Sequence, residues 1–196
     1  VCDVSDSAAV DAALAATVER FGRVDACFAN AGVTGRAKSM LEIDDAEWRR
    51  VMGVNLDGAF YTLRAAARHM VERAEAGDPG GRLVGTASLA ALSGAARNEH
   101  YAATKGALVS MIRAMAVEFA RHGITANSVL PGWIETEMTA PAFDWDKFRD
   151  AVFPRIPARR WGKPEDFGGI AVYLMSDASA YHTADSLLID GGYWVF

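Results

Sequence analysis

Tyr101 and Lys105 stand four residues apart in the run HYAATKGALVSMI, and Ser88 closes an apolar run upstream. On a helix, positions i and i+4 project from one face, so a phenol and an ammonium at this spacing share one pocket. A free tyrosine titrates near pKa ~10, too high for an acid or base at neutral pH. A nearby cation favours the phenolate and draws that value toward the working range. A serine hydroxyl on the facing strand has the chemistry to hold a carbonyl or alcohol oxygen against the phenol. The trio describes a proton-transfer site. Composition alone supplies a Tyr-x-x-x-Lys by chance roughly 0.1 times in such a chain. Most such pairs are ordinary helix-surface neighbours, so their surroundings decide.

The elements that position the trio alternate between strand and helix throughout, which predicts an α/β parallel sheet. VCDV reads as a strand tail, and Ser5 or Asp6 caps a helix running to Phe21 with Gly22 as its stop. VDACFANAG is a short buried strand ending in a tight turn at Asn30, Ala31 and Gly32. Asp44 and Asp45 open a long amphipathic helix over roughly 46–75, closed by GDPGG. RLVGTAS is the next strand, followed by a helix over roughly 99–121 that stops at Gly123. ITANSVLPG is a further strand, ending at Pro131 and Gly132. Over 133–162 the alternation lapses into an aromatic, proline-containing stretch of the kind that forms binding loops or lids. KPEDFGGIAVYLMSD is a helix with Pro164 in its first turn, and SLLIDGG is the last strand. Ligands of open parallel sheets bind beyond the carboxyl ends of the strands. Ser88, Asn30 to Gly32, and Pro131 with Gly132 all fall at such ends, so the chemistry gathers on one rim.

The 196 residues amount to one domain of ordinary globular composition, 51% hydrophobic and 23% charged. A net charge of −5 and the lack of any Lys/Arg cluster give no reason to expect nucleic acid. No apolar run approaches a membrane span and no signal peptide opens the sequence, so the soluble cytoplasm is expected. Cys2 and Cys27 lie in apolar, strand-like runs without ligand spacing, which predicts small buried thiols and no metal site. His69, His100, His122 and His182 are scattered and read as structural or exposed; His100, beside Tyr101, is the one placed to touch a substrate.

Together these features resemble the short-chain dehydrogenase/reductase family in its common single-domain form, in order over nearly the whole chain. The resemblance implies a doubly wound, Rossmann-like parallel sheet in three α/β/α layers. It also implies NAD or NADP as cofactor and hydride transfer between a secondary alcohol and a ketone. Asp3 and Val4 are similar to the pair that contacts adenine, and Asn30, Ala31 and Gly32 to the Asn-Ala-Gly turn. Ser88, Tyr101 and Lys105 match the family's serine and Tyr-x-x-x-Lys. Pro131, Gly132, Ile134 and Thr136 resemble the segment that covers the nicotinamide. By this resemblance Tyr101 exchanges the proton, Ser88 holds the reacting oxygen, and Lys105 lowers the phenol and binds the nicotinamide ribose. Asn55, in VMGVNLDGAF, matches the helix asparagine that holds a water linking Lys105 to solvent. Read from the residues alone, Asn55 satisfies a local backbone group equally well, and Ser93 is a second hydroxyl candidate.

The sequence departs from the family pattern in three places. GTAS stands where Asn-x-Ser-Ser is frequent, and Ala184 stands where glycine usually follows this threonine. A positive φ there would cost alanine ~1 kcal/mol. The Gly-rich phosphate turn that follows the first strand does not occur. Residues 1–196 are therefore expected to be part of a longer Rossmann domain, with VDACFA left as an apolar edge. The residue that separates NAD from NADP is not among them. The stretch 133–162 is expected to cover the substrate with Met138, Phe143, Trp145, Phe148 and Phe153. Its Arg155, Arg159 and Arg160 are solvated, paired with Asp144, Asp146 and Asp150, or turned to an anionic group. The partner is a small alcohol or ketone, with sugar acids, acyl thioesters, steroids and cyclic alcohols all open. A homotetramer or homodimer is implied. A non-catalytic scaffold and an isomerase or dehydratase on the same fold are the alternatives.

Overall fold

The computed structural model describes residues 1–36 and 38–196. Among these residues four strands, β1 (Ala26–Ala29), β2 (Gly81–Thr86), β3 (Ile124–Pro131) and β4 (Ser186–Ile189), form one parallel sheet in the order β1-β2-β3-β4. The strands connect through helices α1 (Ser7–Phe21), α2 (Asp45–Met52), α3 (Gly58–Glu75), α4 (Ala90–Ser93), α5 (Glu99–Phe119), α6 (Ala140–Phe143), α7 (Asp146–Val152) and α8 (Gly168–Met175).

Successive strand residues point to opposite faces, and β2 uses both. Leu83 packs into a core with Leu63 and Met70 of α3 and Leu108 and Ile112 of α5. Its neighbour Val84 packs on the other face with Val129 and with Leu174 of α8. This is the three-layer, Rossmann-like arrangement. Strand β3 is buried from Ile124 to Leu130, as a strand covered on both faces requires. Strand β1 lies at the sheet edge and is only partly covered.

The helix ends follow from local chemistry. Asp6 caps α1 by accepting from the Ala8 and Ala9 amides, and Gly22 ends it at φ 85°. Asp44 caps α2 on the Glu47 amide. The expected single helix over 46–75 is interrupted by a π-turn, Gly53–Asp57, between α2 and α3. That turn was not foreseen, because a one-residue widening of a single turn leaves the apolar spacing almost unchanged. Helix α5 tightens into a 3-10 turn, Ala120–His122, and stops at Gly123, φ 71°.

Ala184 adopts φ 66°, the conformation anticipated for the residue that replaces glycine. The left-handed region costs a non-glycine residue about 1 kcal/mol or more. The turn is held by the Ala184 amide on the Ala126 carbonyl (2.8 Å) and by Asn127, which donates to His182 O and accepts from the Asp185 amide. Two expectations are corrected. Cys2 is exposed, and only Cys27 behaves as a covered thiol, pushed up to about 11 by burial. The 133–162 stretch is not wholly irregular: it contains α6 and α7, and its ends are joined by a parallel bridge between Ile134 and Gly162.

Candidate active site

Helix α5 presents two faces that carry polar side chains into the protein. One carries Tyr101 and Lys105, the other His100 and Thr104, and the same i, i+4 geometry places each pair. Ser88 follows β2, where continued pairing with β3 fixes it: the Ala87 amide donates to Val129 O (2.8 Å) and the Leu89 amide to Pro131 O (2.9 Å). The Ser88 hydroxyl accepts from the Ala90 amide at 3.1 Å, which leaves its proton free to point elsewhere.

A cleft of about 640 Å³ opens beyond the carboxyl ends of the strands. It brings together Asn30, Ala31, Gly32, Ser88, Tyr101, Lys105, Pro131, Gly132, Ile134 and Thr136. Ser93 is not among its lining residues; its hydroxyl donates to Leu89 O and Gly94 O. Asp3 and Val4 also lie outside it. The Asp3 carboxylate accepts from the Ser5 amide and hydroxyl, and Val4 packs where a side chain on Gly58 would lie. Met138, expected over the substrate, lines the cleft too, and Thr86 and Thr139 line it but were missed. Only their place beside predicted residues could have signalled them.

Lys105 is 4% exposed, and its Nζ donates to the Thr86 carbonyl at 2.7 Å. Burial lowers its pKa to about 8. Tyr101 is shifted opposite to the sequence expectation. Burial raises the phenol above its ordinary value, and the neighbouring Ser88 hydroxyl offsets this in part. The ammonium is engaged by Thr86 and stands 5.6 Å from the ring centroid, too far and too committed to reverse the cost of burial.

Asn55 sits in the π-turn with 1% exposure. Its carboxamide accepts from the Val33 amide (2.7 Å) and donates to Val33 O (2.9 Å) and Thr104 Oγ1 (3.3 Å). Both amide hydrogens are therefore used, and a single acceptor site on Oδ1 remains. Between that oxygen and Lys105 lies Gly32, where an added Cβ would stand 3.4 Å from Oδ1 and 3.5 Å from Nζ. A side chain there would touch both groups, and glycine leaves the space beside the ammonium's two uncommitted hydrogens unfilled. A ribose, which offers paired hydroxyls, fits these groups.

His100 departs from the expected substrate contact, whereas Arg155, Arg159 and Arg160 are exposed, as the solvated reading has it, but do not take the expected aspartate partners. His100 is fully buried and faces α2 and Gly35 rather than the cleft. Arg160 pairs with Asp166, Arg155 donates to the Tyr193 hydroxyl, and Arg159 donates to Pro154 O; Asp146 and Asp150 lie by Arg149 instead. The side chains of the 133–162 stretch also form an aromatic cluster, with Phe143 stacked on Trp161 at 4.0 Å.

The sequence profile described as Enoyl-(Acyl carrier protein) reductase matches residues 1–194. The chain belongs to the short-chain dehydrogenase/reductase family. As a short-chain dehydrogenase/reductase it is an NAD(P)-dependent oxidoreductase that interconverts an alcohol and a ketone. It is 37% identical over 193 residues to an L-rhamnose 1-dehydrogenase (NAD(P)(+)) of Azotobacter vinelandii, covering 98% of this chain and 73% of that one. It is 36% identical to a 5-keto-D-gluconate 5-reductase of Escherichia coli, covering 93% of this chain and 70% of the other. Among solved structures, a gluconate 5-dehydrogenase from Burkholderia cenocepacia in complex with NADP and tartrate superposes with a TM-score of 0.92 at 34% identity. That superposition covers 99% of this chain and 74% of the other. No helix among the described residues is long and apolar enough to cross a membrane.

Proposed function

We propose that this dehydrogenase/reductase acts on a polyhydroxylated substrate, a sugar or sugar acid, with Tyr101 as general acid and base. The observation that carries the reading is the convergence of Ser88, Tyr101 and Lys105 on one cleft beyond the strand ends. The substrate class is supported by the rhamnose and gluconate activities named for relatives at 34–37% identity. It is supported also by the hydroxyls of Ser88, Thr136 and Thr139 along the cleft.

In reduction, Tyr101 Oη gives its proton to the carbonyl oxygen; in oxidation it removes the proton from the alcohol. Ser88 hydrogen-bonds the reacting oxygen and fixes its distance from Tyr101. When bound, NAD(P) supplies or accepts the hydride. Lys105 binds its ribose hydroxyls with the two hydrogens that Thr86 leaves free. Asn30, Ala31 and Gly32 wall one side of the nucleotide, and Pro131, Gly132, Ile134 and Thr136 cover the other. Asp3 and Val4 stand toward the adenine. Asn55 holds the 30–32 wall through Val33 and offers Oδ1 to a water beside Lys105. The 133–162 stretch serves as the substrate lid over this one Rossmann-type domain.

A nicotinamide absorbance assay tests the substrate class, with NAD and NADP, across aldonic acids, their keto forms, aldoses and simple secondary alcohols. Polyhydroxylated substrates are expected to exceed simple alcohols ~100-fold in kcat/KM, since a site built around hydroxyls rejects partners that lack them. Equal or better turnover of simple alcohols would overturn the substrate class. We further take the protein to be a cytoplasmic homotetramer or homodimer. The free thiols and the exposed Val172, Trp194, Val195 and Phe196 support this, with light scattering and cell fractionation as the measurements.

A further inference from the structure

One buried ionisable side chain next to the catalytic helix face takes no part in this mechanism. His100 is 0% exposed and follows directly from the cleft face of α5, one residue before Tyr101. It lies against Gly35 of residues 33–36, the continuation of the Gly32 wall. This strip is gripped by side chains at every residue. Val33 is bonded in both directions by Asn55. Thr34 O accepts from Arg50 (3.0 Å), and its hydroxyl from Asn98 (2.9 Å). The Gly35 amide donates to Asn98 Oδ1 at 3.2 Å, and Gly35 passes so close to His100 that any side chain there would overlap the imidazole. The Arg36 amide donates to Glu47 Oε1 at 3.0 Å. That same oxygen lies 3.8 Å from His100 Nε2.

Glu47 is a permanent anion. Hydrogen bonds from Arg50 and the Arg36 amide, with the nearby positive charge of Arg50, hold its carboxyl down to about 2. At 3.8 Å a neutral imidazole makes no hydrogen bond to it, whereas an imidazolium makes a charge-assisted one after a shift of about 1 Å. The charged groups around the ring are Glu47 and Arg50 from α2, Glu99 on α5, and Arg97 just before it. Across the strip, Arg36 contributes its backbone amide. His100 touches the strip directly at Gly35, and Glu47 is the anion through which a protonated imidazole reaches it, because its Oε1 holds the Arg36 amide and lies 3.8 Å from Nε2.

We propose that His100 is a positioning residue that, through Glu47, holds residues 33–36 and with them the Gly32 wall of the cleft, and that this hold tightens when the imidazole takes up a proton. The proposal rests on the reading of Gly32 as a wall of the nucleotide site. It adds that nucleotide affinity follows the ionisation of a residue that touches neither nucleotide nor substrate.

The test compares the wild-type protein with His100→Leu, His100→Gln and Gly32→Val between about pH 6 and 8. Two quantities are read: amide-exchange protection of residues 33–36 without ligand, and the NADH dissociation constant by fluorescence. In the wild type, protection is expected to fall and the dissociation constant to rise ~5-fold from pH 6 to 8, with kcat for reduction changing less than ~2-fold. In His100→Gln, which donates to Glu47 but does not titrate, both quantities become flat. In His100→Leu both are flat at the weak end. If the leucine variant fails to fold, the glutamine variant decides alone. Variants that keep the wild-type pH dependence of protection would overturn the role of His100. A Gly32→Val protein with unaltered NADH affinity would instead overturn the site reading, leaving the exchange result to judge His100 separately.

Discussion

Tyr101 is a phenol raised by burial, and this fixes the sense of its pH dependence. Through neutral pH it carries its proton, so it is ready as the acid for ketone reduction and largely unready as the base for alcohol oxidation. The phenolate fraction rises tenfold per pH unit below the phenol's pKa. We therefore expect kcat/KM for oxidation to climb steeply between about pH 7 and 9 while that for reduction stays flat, measured on the same alcohol–ketone pair. An oxidation rate independent of pH over this span would mean that another group takes the proton. Tyr101, Lys105 and Ser88 were legible in the sequence because helical spacing and a strand end are local properties. The sign of the Tyr101 shift was not. It depends on how deeply the helix is buried and on Thr86 O engaging the ammonium, which only the packing of α5 on β2 determines. The engagement of Asn55 with Val33 was likewise hidden, because it joins residues 22 apart along the chain through the π-turn.

The elements were read mostly from their punctuation. Asp6 with Gly22, Asp44, and Gly123 act as caps whose chemistry is complete within a few residues, and α1, the start of α2 and the end of α5 fall where these residues place them. The helices inside 133–162 were missed because α6 and α7 are 4 and 7 residues long, too short to show an apolar period. What fixes that segment is tertiary. At its root, Gly132 passes against the chain that follows β4: an added Cβ would stand 2.5 Å from Asp190 Cβ and 2.7 Å from Asp190 Cα. The neighbour is backbone and cannot swing aside. Gly132→Ala is therefore expected to destabilise the protein by about 2 kcal/mol in chemical denaturation. It should also raise the KM for the nicotinamide cofactor more than it changes kcat, because the displaced segment is the one proposed to cover the nucleotide. A variant as stable as the wild type with unchanged KM would show that the segment tolerates displacement.

At the scale of the whole molecule, one parallel sheet with a core on each face sends three strand ends and one helix face to a single cleft. The order of elements made this architecture legible, because alternating strands and helices admit few topologies. The convergence of site residues more than 100 positions apart, from Asn30 to Thr136, follows from that topology rather than from any local pattern. The same convergence makes the central claim testable in one protein. Tyr101→Phe keeps the ring and its packing and removes only the hydroxyl. The direct measurement is its kcat for ketone reduction beside its NADH dissociation constant, each against the wild type. The expected result is a loss of ~10²–10⁴-fold in kcat with the dissociation constant within ~3-fold. Turnover retained within ~10-fold of the wild type would contradict Tyr101 as the proton donor of this oxidoreductase.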